Sequence, residues 1–404
     1  MTIQTAQTNS NTPKGSAAFI AGTIGWTLDA FDFFLVVFCL TAVGREFHQS
    51  DANVSLSIVA TLAFRPVGGF LFGILADRYG RRIPMIWNLV LCALIQGLSG
   101  MAPTFAIFLA SRALFGVVMG GQWGVGASLA MEKVPVKYRG LLSGVLQQGY
   151  AAGYLLAAVS YYFLFDRFGW RPLFFLASLP ALLAAAFVAF CVEESEVWRE
   201  TRQETWSGLA KALLSNWKML LYITGFAMTM HMASHGSQDM YPTFLERQWG
   251  FKPTERAELT AFSMLGAILG GILCGFLSDR FGRRRSMIVA LVGAIVVVPL
   301  WAFAPSIPLL VTGAFLIQFM IQGAWGVVPA QLAELSPDNV RGFLPGFGNA
   351  CGVVLASVVV YLEALIAHRT SYSVAMASTA AIVLVCAIVV ISSGPERKAA
   401  KFGK

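Results

Sequence analysis

Eight ionisable side chains lie inside long apolar stretches of the sequence, where each needs a physical reason to be present. They are Asp29, Asp32, Arg65, Arg112, His231, His235, Asp239 and Glu363. An arginine in such a place keeps its charge and presents a planar fork that binds a carboxylate through two parallel hydrogen bonds. Aspartate and histidine in the same surroundings can exchange protons near neutral pH. The set therefore predicts anion binding together with proton transfer.

Arg65 lies at the centre of its apolar stretch, too far from either end for its side chain to reach water easily. One interpretation is a permanent ion pair with Asp29 or Asp32, and the other is an anchor for an anionic substrate. We favour the anchor, because two nearby acids and one base leave a surplus carboxylate that can titrate. Arg112 lies near the outer end of its stretch, from which its side chain can reach outward to water.

Two sets of these residues recur at helical spacing. Asp29 and Asp32 are three residues apart, so they share one face of a helix. His231, His235 and Asp239 follow one another at four-residue spacing, so they share one face of another helix. The second set also has the spacing of metal ligands. No further histidine lies in an apolar stretch, so we expect neither a metal nor another cofactor. We expect the acids and imidazoles to form a proton path driven by the proton gradient.

The composition indicates what surrounds these side chains. Hydrophobic residues make up 57% of the 404 residues and charged residues 12%, about half the charged share of soluble proteins. We expect such a chain to lie in a lipid bilayer, which excludes soluble enzymes, disordered chains and nucleic-acid-binding proteins. The six cysteines fall singly in apolar stretches, as is typical of packing residues rather than disulfides or metal ligands.

Membrane-spanning helices account for the apolar stretches, since a bilayer core of roughly 30 Å needs about 20 apolar residues per helix. Twelve stretches meet this requirement. We predict spans 1 to 12 at residues 18–43, 53–76, 83–102, 105–131, 141–165, 171–192, 219–245, 257–277, 286–304, 307–333, 343–367 and 372–391.

A polar connection at 193–217 divides the spans into two groups of six. We expect five segments: a cytoplasmic tail at 1–17, a six-helix bundle at 18–192, a cytoplasmic linker at 193–217, a second six-helix bundle at 218–392 and a tail at 393–404. The linker is either a short amphipathic helix at the membrane surface, with Trp198 and Trp206 as anchors, or a solvated connection.

Basic residues are distributed unevenly between the two sides of the spans. With the N-terminus inside, 20 Lys and Arg residues lie on the inner side and 7 on the outer side. This bias follows the positive-inside rule, and it accounts for the net charge of +8 without a nucleic-acid partner. We therefore expect a multi-pass protein of the inner cell membrane, with both termini in the cytoplasm.

A repeat with a constant offset of 202 residues links the two halves. The loop at 73–82 reads GILADRYGRR, and the loop at 275–284 reads GFLSDRFGRR. The same offset relates further residues, pair by pair: Glu132 and Glu334, Arg139 and Arg341, Asp29 and His231, Gln147 and Asn349. Duplicated membrane-embedded halves are typical of secondary transporters, which hold substrate between the halves near mid-membrane.

The loop pattern G-x-x-x-D-R-x-G-R-R, present twice, resembles the signature loop of the major facilitator superfamily. The resemblance implies an all-α fold of twelve membrane-spanning helices in two pseudo-symmetric six-helix bundles. It also implies a cytoplasmic latch, in which each loop acid faces a helix start of the other half and a loop arginine pairs with the acid that ends span 4 or span 10. The matching positions are Asp77, Arg81, Arg82, Glu132, Arg139, Asp279, Arg283, Arg284, Glu334 and Arg341.

The resemblance leaves open which arginine of each loop forms the ion pair. Either Arg81 or Arg82 is expected to meet Glu132. In the other half, the partner of Glu334 is either the first or the second arginine of the doublet at 283–284. The alternative to a latch is simple anchoring by basic loops, which does not explain the acids at matched positions.

Span 7 carries a second resemblance. Residues 231–243 read HMASHGSQDMYPT, similar to the pattern Asn-x-x-Ser/Thr-His-x-Ser/Thr-Gln-Asp-x-x-x-Thr of Jen-type lactate and pyruvate permeases, in the sialate:proton symporter group. Residues 25–34 of span 1 (GWTLDAFDFF) resemble the same group. The departure is His231, where the group has asparagine, and it leaves the exact substrate open.

The resemblance implies proton-coupled uptake of a short monocarboxylate such as lactate or pyruvate. Another organic acid (a dicarboxylate, an aromatic acid or sialate) and proton/drug antiport are the alternatives. We expect substrate-binding residues at Arg65, His231, His235, Gln147, Asn349, Gln122, Tyr154 and Gln322. We expect proton-coupling residues at Asp29, Asp32, His235, Asp239, Glu363 and Arg112, with Glu363 facing an outer vestibule. We expect a monomer without enzyme activity, whose partners are the carboxylate, protons and the lipid bilayer.

Overall fold

The computed structural model describes residues 13–203 and 205–403, and every regular element within these ranges is a helix. Of the tail predicted at 1–17, residues 1–12 lie outside the described ones. The first helix begins at Pro13, five residues before the predicted start of span 1. The twelve spans form two bundles of six, as the signature loops predicted.

The first bundle contains spans 1 to 6. Its helices are α1 (Pro13–Glu46), α2 (Asp51–Tyr79), α3 (Arg82–Met101), α4 (Phe105–Lys133), α5 (Arg139–Gln147) with α6 (Gly149–Phe168) as span 5, and α7 (Trp170–Cys191) as span 6. A 3₁₀ turn at Val136–Tyr138 leads into α5.

The linker forms two short helices, α8 (Glu196–Thr201) and α9 (Trp206–Ser215). Trp198 is buried, and its indole Nε1 donates to the carbonyl oxygen of Asp77 at 2.9 Å. Trp206 is exposed, and the Arg78 guanidinium lies over its ring, 5.6 Å from the centroid. The linker is thus partly helical, and the Trp198 hydrogen bond holds α8 close to the end of α2.

The second bundle contains spans 7 to 12. Its helices are α10 (Trp217–Gln238) with α11 (Tyr241–Trp249) as span 7, α12 (Pro253–Phe281), α13 (Arg283–Ala302), α14 (Ile307–Leu335), α15 (Phe343–Ala356) with α16 (Val358–Arg369) as span 11, and α17 (Tyr372–Ser393). A 3₁₀ turn at Asp338–Val340 precedes α15, at the position equivalent to the turn before α5.

Three spans that the sequence predicted as continuous are interrupted. The interruptions are at Gln148 in span 5, at Asp239–Met240 in span 7 and at Ser357 in span 11. Apolar periodicity does not reveal them, because a break of one or two residues leaves the composition of a span unchanged.

The loops between α2 and α3 and between α12 and α13 turn at glycines with positive φ. Gly80 has a φ of 101° and Gly282 a φ of 102°, a region of backbone space that favours glycine. A Cβ on Gly80 would lie 2.1 Å from Oε2 of Glu194. Both glycines are therefore required by the backbone, and the two loops have the same shape.

The two bundles touch backbone against backbone on the side that carries the linker, here called the linker face. A Cβ on Gly124 would lie 2.4 Å from Cα of Gly346, and a Cβ on Gly144 would lie 2.4 Å from the carbonyl oxygen of Gly271. Through such contacts α15 packs against α2 and α4, while α5 packs against α12 and α14. The bundles are closed together here.

Candidate functional site

A cavity lies between the two bundles, beyond their contact on the linker face. Its free space, including the part that joins the solvent, is about 660 Å³. Both bundles contribute polar side chains to its wall, among them Arg65, Gln147, His231, His235, Gln322 and Asn349. The structure therefore brings together six of the residues that the sequence proposed for substrate binding.

Arg65 supplies a fixed positive charge to this cavity. It is the sole arginine or lysine among the described residues that line the wall. No carboxylate oxygen of the described residues lies within 4.0 Å of its guanidinium nitrogens, the distance of an ion pair. The acid that acts on it most strongly is Asp29 of α1. Both Asp29 oxygens are buried without a hydrogen-bond partner in the described part of the chain. The guanidinium is thus free to receive the carboxylate of a ligand.

A row of titratable groups follows one face of α10 along the cavity. Nε2 of His231 lies 3.1 Å from Oδ1 of Asn349, and Nδ1 of His235 lies 3.0 Å from Oδ2 of Asp239. The two imidazole rings are stacked with centroids 5.9 Å apart. The Asp239 side chain is 40% exposed, just beyond the end of α10. This geometry suits stepwise proton transfer from solvent to the cavity.

Asp32 and Arg112 lie together inside the first bundle, behind the cavity wall. Asp32 accepts a hydrogen bond from the Cys92 thiol at 3.0 Å and interacts electrostatically with Arg112. Arg112 donates to the Ser99 hydroxyl, and its guanidinium lies 4.8 Å from the Phe115 ring centroid. Because Arg112 is completely buried, the alternative that its side chain reaches outward to water is wrong. The two residues form a buried acid–base group.

Three carboxamides predicted for the site lie on the cavity wall and have fixed orientations. Oε1 of Gln147 accepts from the indole Nε1 of Trp123 at 3.2 Å, and Nε2 of Gln322 donates to Oγ of Ser234 at 2.9 Å. Oδ1 of Asn349 lies within hydrogen-bond distance of Nε2 of His231. Each amide therefore keeps its other polar group available to a ligand.

Gln122 and Tyr154 do not line the cavity, so the sequence placed these two side chains wrongly. Gln122 is buried against α1, where its Nε2 lies 1.9 Å from the position of a Cβ on Gly25. The ring of Tyr154 packs edge-on against Phe34 with centroids 4.9 Å apart. Both residues belong to cavity-lining helices but lie on other faces. Tyr150, one turn before Tyr154, lines the cavity instead.

Glu363 also departs from its expected position. Its side chain is completely buried, so it does not face an outer vestibule. It lies against α10, where one carboxylate oxygen is 3.1 Å from the position of a Cβ on Gly236. The absence of a side chain at Gly236 lets α16 pack closely enough to enclose the acid.

Aromatic rings form much of the cavity wall, and the sequence did not assign them to the site. They are Trp26, Phe33, Tyr150 and Trp325. Trp26 and Tyr150 are stacked at 5.7 Å, and the Trp325 centroid lies 4.6 Å from the His231 ring. The repeat was the available signal for Trp325, which is related to Trp123 by the constant offset.

On the linker face, the acid of each signature loop caps a helix of the opposite bundle. Asp77 accepts the backbone N–H of Gly342 at 2.7 Å and that of the next residue at 2.9 Å. Asp279 accepts the N–H of Gly140 at 2.8 Å and that of the next residue at 2.9 Å. Each carboxylate thus meets the positive end of a helix dipole across the interface.

Glu132, at the end of α4, joins both bundles through arginines. Its carboxylate lies 3.2 Å from Arg81 of its own bundle and 3.5 Å from Arg341 of the other. Burial alone would lower the pKa of Arg81, but the carboxylates of Glu132 and Asp77 outweigh this effect and raise it above its ordinary value. The Arg81 guanidinium therefore stays charged.

Glu334 repeats this arrangement at the end of α14. Its carboxylate lies 3.0 Å from Arg283 of its own bundle and 3.1 Å from Arg139 of the other. All three side chains are nearly inaccessible to water. The two equivalent clusters join the bundles across the linker face in the described conformation.

The second arginine of each loop does not join these clusters. Successive residues at a helix start point in directions about 100° apart, so only one of the two can face the interface. Arg82 donates to the backbone carbonyls of Val188 and Ala189 at the end of α7. Arg284 donates to the carbonyl of Gly394 at 2.7 Å. The predicted gating roles of Arg82 and Arg284 are corrected accordingly.

Two acids that the sequence analysis missed support the loops. Glu194 accepts the backbone N–H of Arg81 at 2.8 Å, and Glu396 accepts that of Arg284 at 2.9 Å. The two acids are again 202 positions apart. A search of the linker and the C-terminal tail for the offset would have found them.

Replacing Glu334 by glutamine is expected to open the linker face. Removal of one partner from a buried ion pair costs about 3–5 kcal/mol, so labelling of a cysteine placed at Ser143, which is buried in this contact, should accelerate at least about tenfold. The matched control is Glu196→Gln, which breaks an exposed pair with Lys133 and should change labelling little. Equal labelling in both variants would show that this cluster does not hold the face closed.

The chain is similar to known membrane proteins over almost its entire length. The sequence profile of the Major Facilitator Superfamily matches residues 22–237 and 232–403. A putative metabolite transport protein of Haemophilus influenzae is 30% identical, covering 97% of this chain and 98% of the relative. A carboxylic acid transporter protein homolog of Saccharomyces cerevisiae is 26% identical, covering 87% of this chain and 61% of the relative. The solved structure of the proton:xylose symporter XylE has a TM-score of 0.76 at 18% identity, covering 96% and 98% of the two chains.

Proposed function

Because the chain belongs to the major facilitator superfamily, we propose that it is a proton-coupled symporter that imports a short monocarboxylate, such as lactate or pyruvate, by alternating access. Membership of this family makes the chain a transport protein and not an enzyme. The observation that carries the proposal is the unpaired Arg65 guanidinium in the cavity, with titratable side chains on the neighbouring helices.

The substrate carboxylate binds Arg65 through two parallel hydrogen bonds. A hydroxyl or keto group next to the carboxylate then reaches the polar groups on the opposite wall, among them His231 and Gln322. Gln147 of the first bundle and Asn349 of the second present amides at equivalent positions of the repeat. Binding therefore involves both bundles at once, as alternating access requires.

The proton enters along α10, from Asp239 to His235, and reaches Asp29. The buried group of Asp32 and Arg112 is the second acid–base element of the pathway. Substrate and proton together neutralise the charges of the cavity, which lowers the desolvation cost of closing it. The bundles then rock, the clusters of the linker face separate, and both ligands leave on that side.

The uneven distribution of basic residues supports the orientation of this cycle. We infer that the linker face is cytoplasmic, that both termini lie in the cytoplasm, and that the protein resides as a monomer in the cell membrane. The described conformation, closed on the linker face, is then the one that receives substrate from outside.

An aromatic carboxylic acid is a second candidate substrate. The rings of Trp26, Phe33, Tyr150 and Trp325 on the cavity wall favour it, because they stack well on a planar unsaturated ligand. The same Arg65 would anchor its carboxylate, so only the fit of the remaining part of the molecule separates the two classes.

Uptake of labelled acids by lightly buffered cells that produce the protein tests the proposal. We expect lactate or pyruvate to accumulate and the external medium to become alkaline, because each anion removes a proton from outside. Cells with an Arg65→Ala variant serve as the control for endogenous uptake. Accumulation of benzoate without lactate would select the aromatic alternative, and carboxylate uptake with no change in external pH would contradict proton symport.

A further inference from the structure

Glu363 is a buried acid that the transport cycle described above does not use. It lies on α16, outside the cavity wall, and its side chain is completely inaccessible to water. Neither carboxylate oxygen has a hydrogen-bond partner in the described ranges. An ionised carboxylate without a partner costs several kcal/mol in such surroundings. The geometry points to a carboxyl group that holds a proton in this conformation.

Among the described residues, no Lys, Arg or His side chain lies within 4.0 Å of the Glu363 carboxylate. The helices packed against α16 are α10 and α17. The charged group that acts on Glu363 is Asp239, at the interruption directly after α10. Its like charge opposes ionisation, and Asp239 is itself paired with His235. The titratable side chains of α17 are Tyr372 and Cys386, and neither donates a hydrogen bond to the acid.

Glu363 also lies close to the interruption of span 7. The acid contacts Gly236, three residues before the interruption of span 7 at Asp239–Met240. A change of angle between α10 and α11 would open the Gly236 contact and admit water to the carboxyl group. The O–H bond of the acid would then break, and its proton would pass to that water.

We propose that Glu363 is a second proton-binding site, loaded while the linker face is closed and emptied as the α10–α11 interruption rearranges. The proposal rests on the proposed symport and extends it, because a second proton makes the import of one monocarboxylate electrogenic. The first bundle has tyrosine at the equivalent position, Tyr161, which stacks on Phe165 at 4.4 Å. The additional site therefore belongs to the second bundle alone.

Infrared spectroscopy of the purified protein tests the protonation directly and needs no substrate. A buried protonated carboxyl gives a C=O stretching band that shifts in heavy water. We expect a component of this band to be lost in Glu363→Gln and retained in Glu258→Gln, which changes an exposed glutamate of α12. A band unchanged by Glu363→Gln overturns the proposal. If Glu363→Gln does not fold, Glu363→Asp keeps an acid at the position and should shift the component.

Transport by proteoliposomes tests whether the site is coupled. Wild-type uptake should rise with an inside-negative membrane potential, whereas uptake by a Glu363→Gln variant should not respond to it. Exchange of labelled for unlabelled substrate should stay within about twofold, since exchange needs no net proton release. Loss of the infrared component with an unchanged response to the potential would show a permanently protonated structural acid. Failure of the wild type to transport any acid would refute the proposed symport and leave the infrared result to decide the protonation.

Discussion

Alanine in place of Arg65 is expected to abolish carboxylate transport while the protein still inserts and folds. The substrate loses two hydrogen bonds to a charged donor, each worth about 1.5–3 kcal/mol. A total of about 3 kcal/mol or more corresponds to at least about a 100-fold fall in kcat/KM for uptake. The measurement is initial-rate uptake of labelled lactate by proteoliposomes that contain equal amounts of the wild type and the variant.

Two further variants separate the charge of Arg65 from its shape. Arg65→Lys keeps a cation but loses the planar fork, so its uptake should lie between the wild type and alanine. Arg45→Ala removes an exposed arginine at the end of α1 and should leave uptake unchanged. Size-exclusion profiles report folding. Normal kcat/KM in a folded Arg65→Ala protein would rule out this residue as the anchor.

Asparagine in place of Asp32 is expected to uncouple uptake from the proton gradient. A proton moving down a gradient of one pH unit supplies about 1.4 kcal/mol, so each coupled proton can sustain about tenfold accumulation of substrate. Without the Asp32 carboxylate one such contribution is lost, and accumulation at a gradient of one pH unit should fall about tenfold. The measurement is the steady-state ratio of labelled substrate inside and outside proteoliposomes.

The control for Asp32→Asn changes Cys92, whose thiol donates a hydrogen bond to Asp32. Cys92→Ala removes the donor but leaves the acid and Arg112, so it should accumulate substrate nearly as the wild type does. Substrate exchange at equal pH should persist in Asp32→Asn, since exchange can proceed without releasing the proton. Full accumulation by Asp32→Asn would exclude Asp32 from coupling.

The overall architecture could be predicted from the sequence because it depends on patterns that extend over many residues. Apolar stretches of about 20 residues define spans regardless of their detailed packing, and the signature loops identify the family. The profile match over both halves confirms that identification. The interruptions at Gln148 and Ser357 were missed, since each involves a single residue.

The orientation of individual side chains was less predictable. The sequence placed Gln122 on a cavity-lining helix. The contact between its amide and Gly25 shows that the side chain points toward α1 and not into the cavity. Similarly, the sequence led us to expect Glu363 in an outer vestibule, but its side chain is buried. Its burial depends on a glycine 127 positions away, Gly236, which no local pattern reveals.

The repeat extends beyond the signature loops to the acids that support them. The offset of 202 relates Glu132 to Glu334, the acids at the centre of the two clusters on the linker face. It also relates Glu194 to Glu396, and these two acids accept backbone N–H groups of the signature loops. A duplicated fold constrains residues outside its recognised motifs, because the same backbone geometry needs the same partners in both halves.

The most direct test of the account follows proton and anion together in one vesicle. Proteoliposomes with a pH-sensitive dye inside receive labelled lactate outside at equal pH. We expect the lumen to become acidic as label enters, and we expect both signals to vanish together in Arg65→Ala and in protein-free liposomes. Entry of label through the wild-type protein with no acidification would contradict the coupled movement of anion and proton through this cavity.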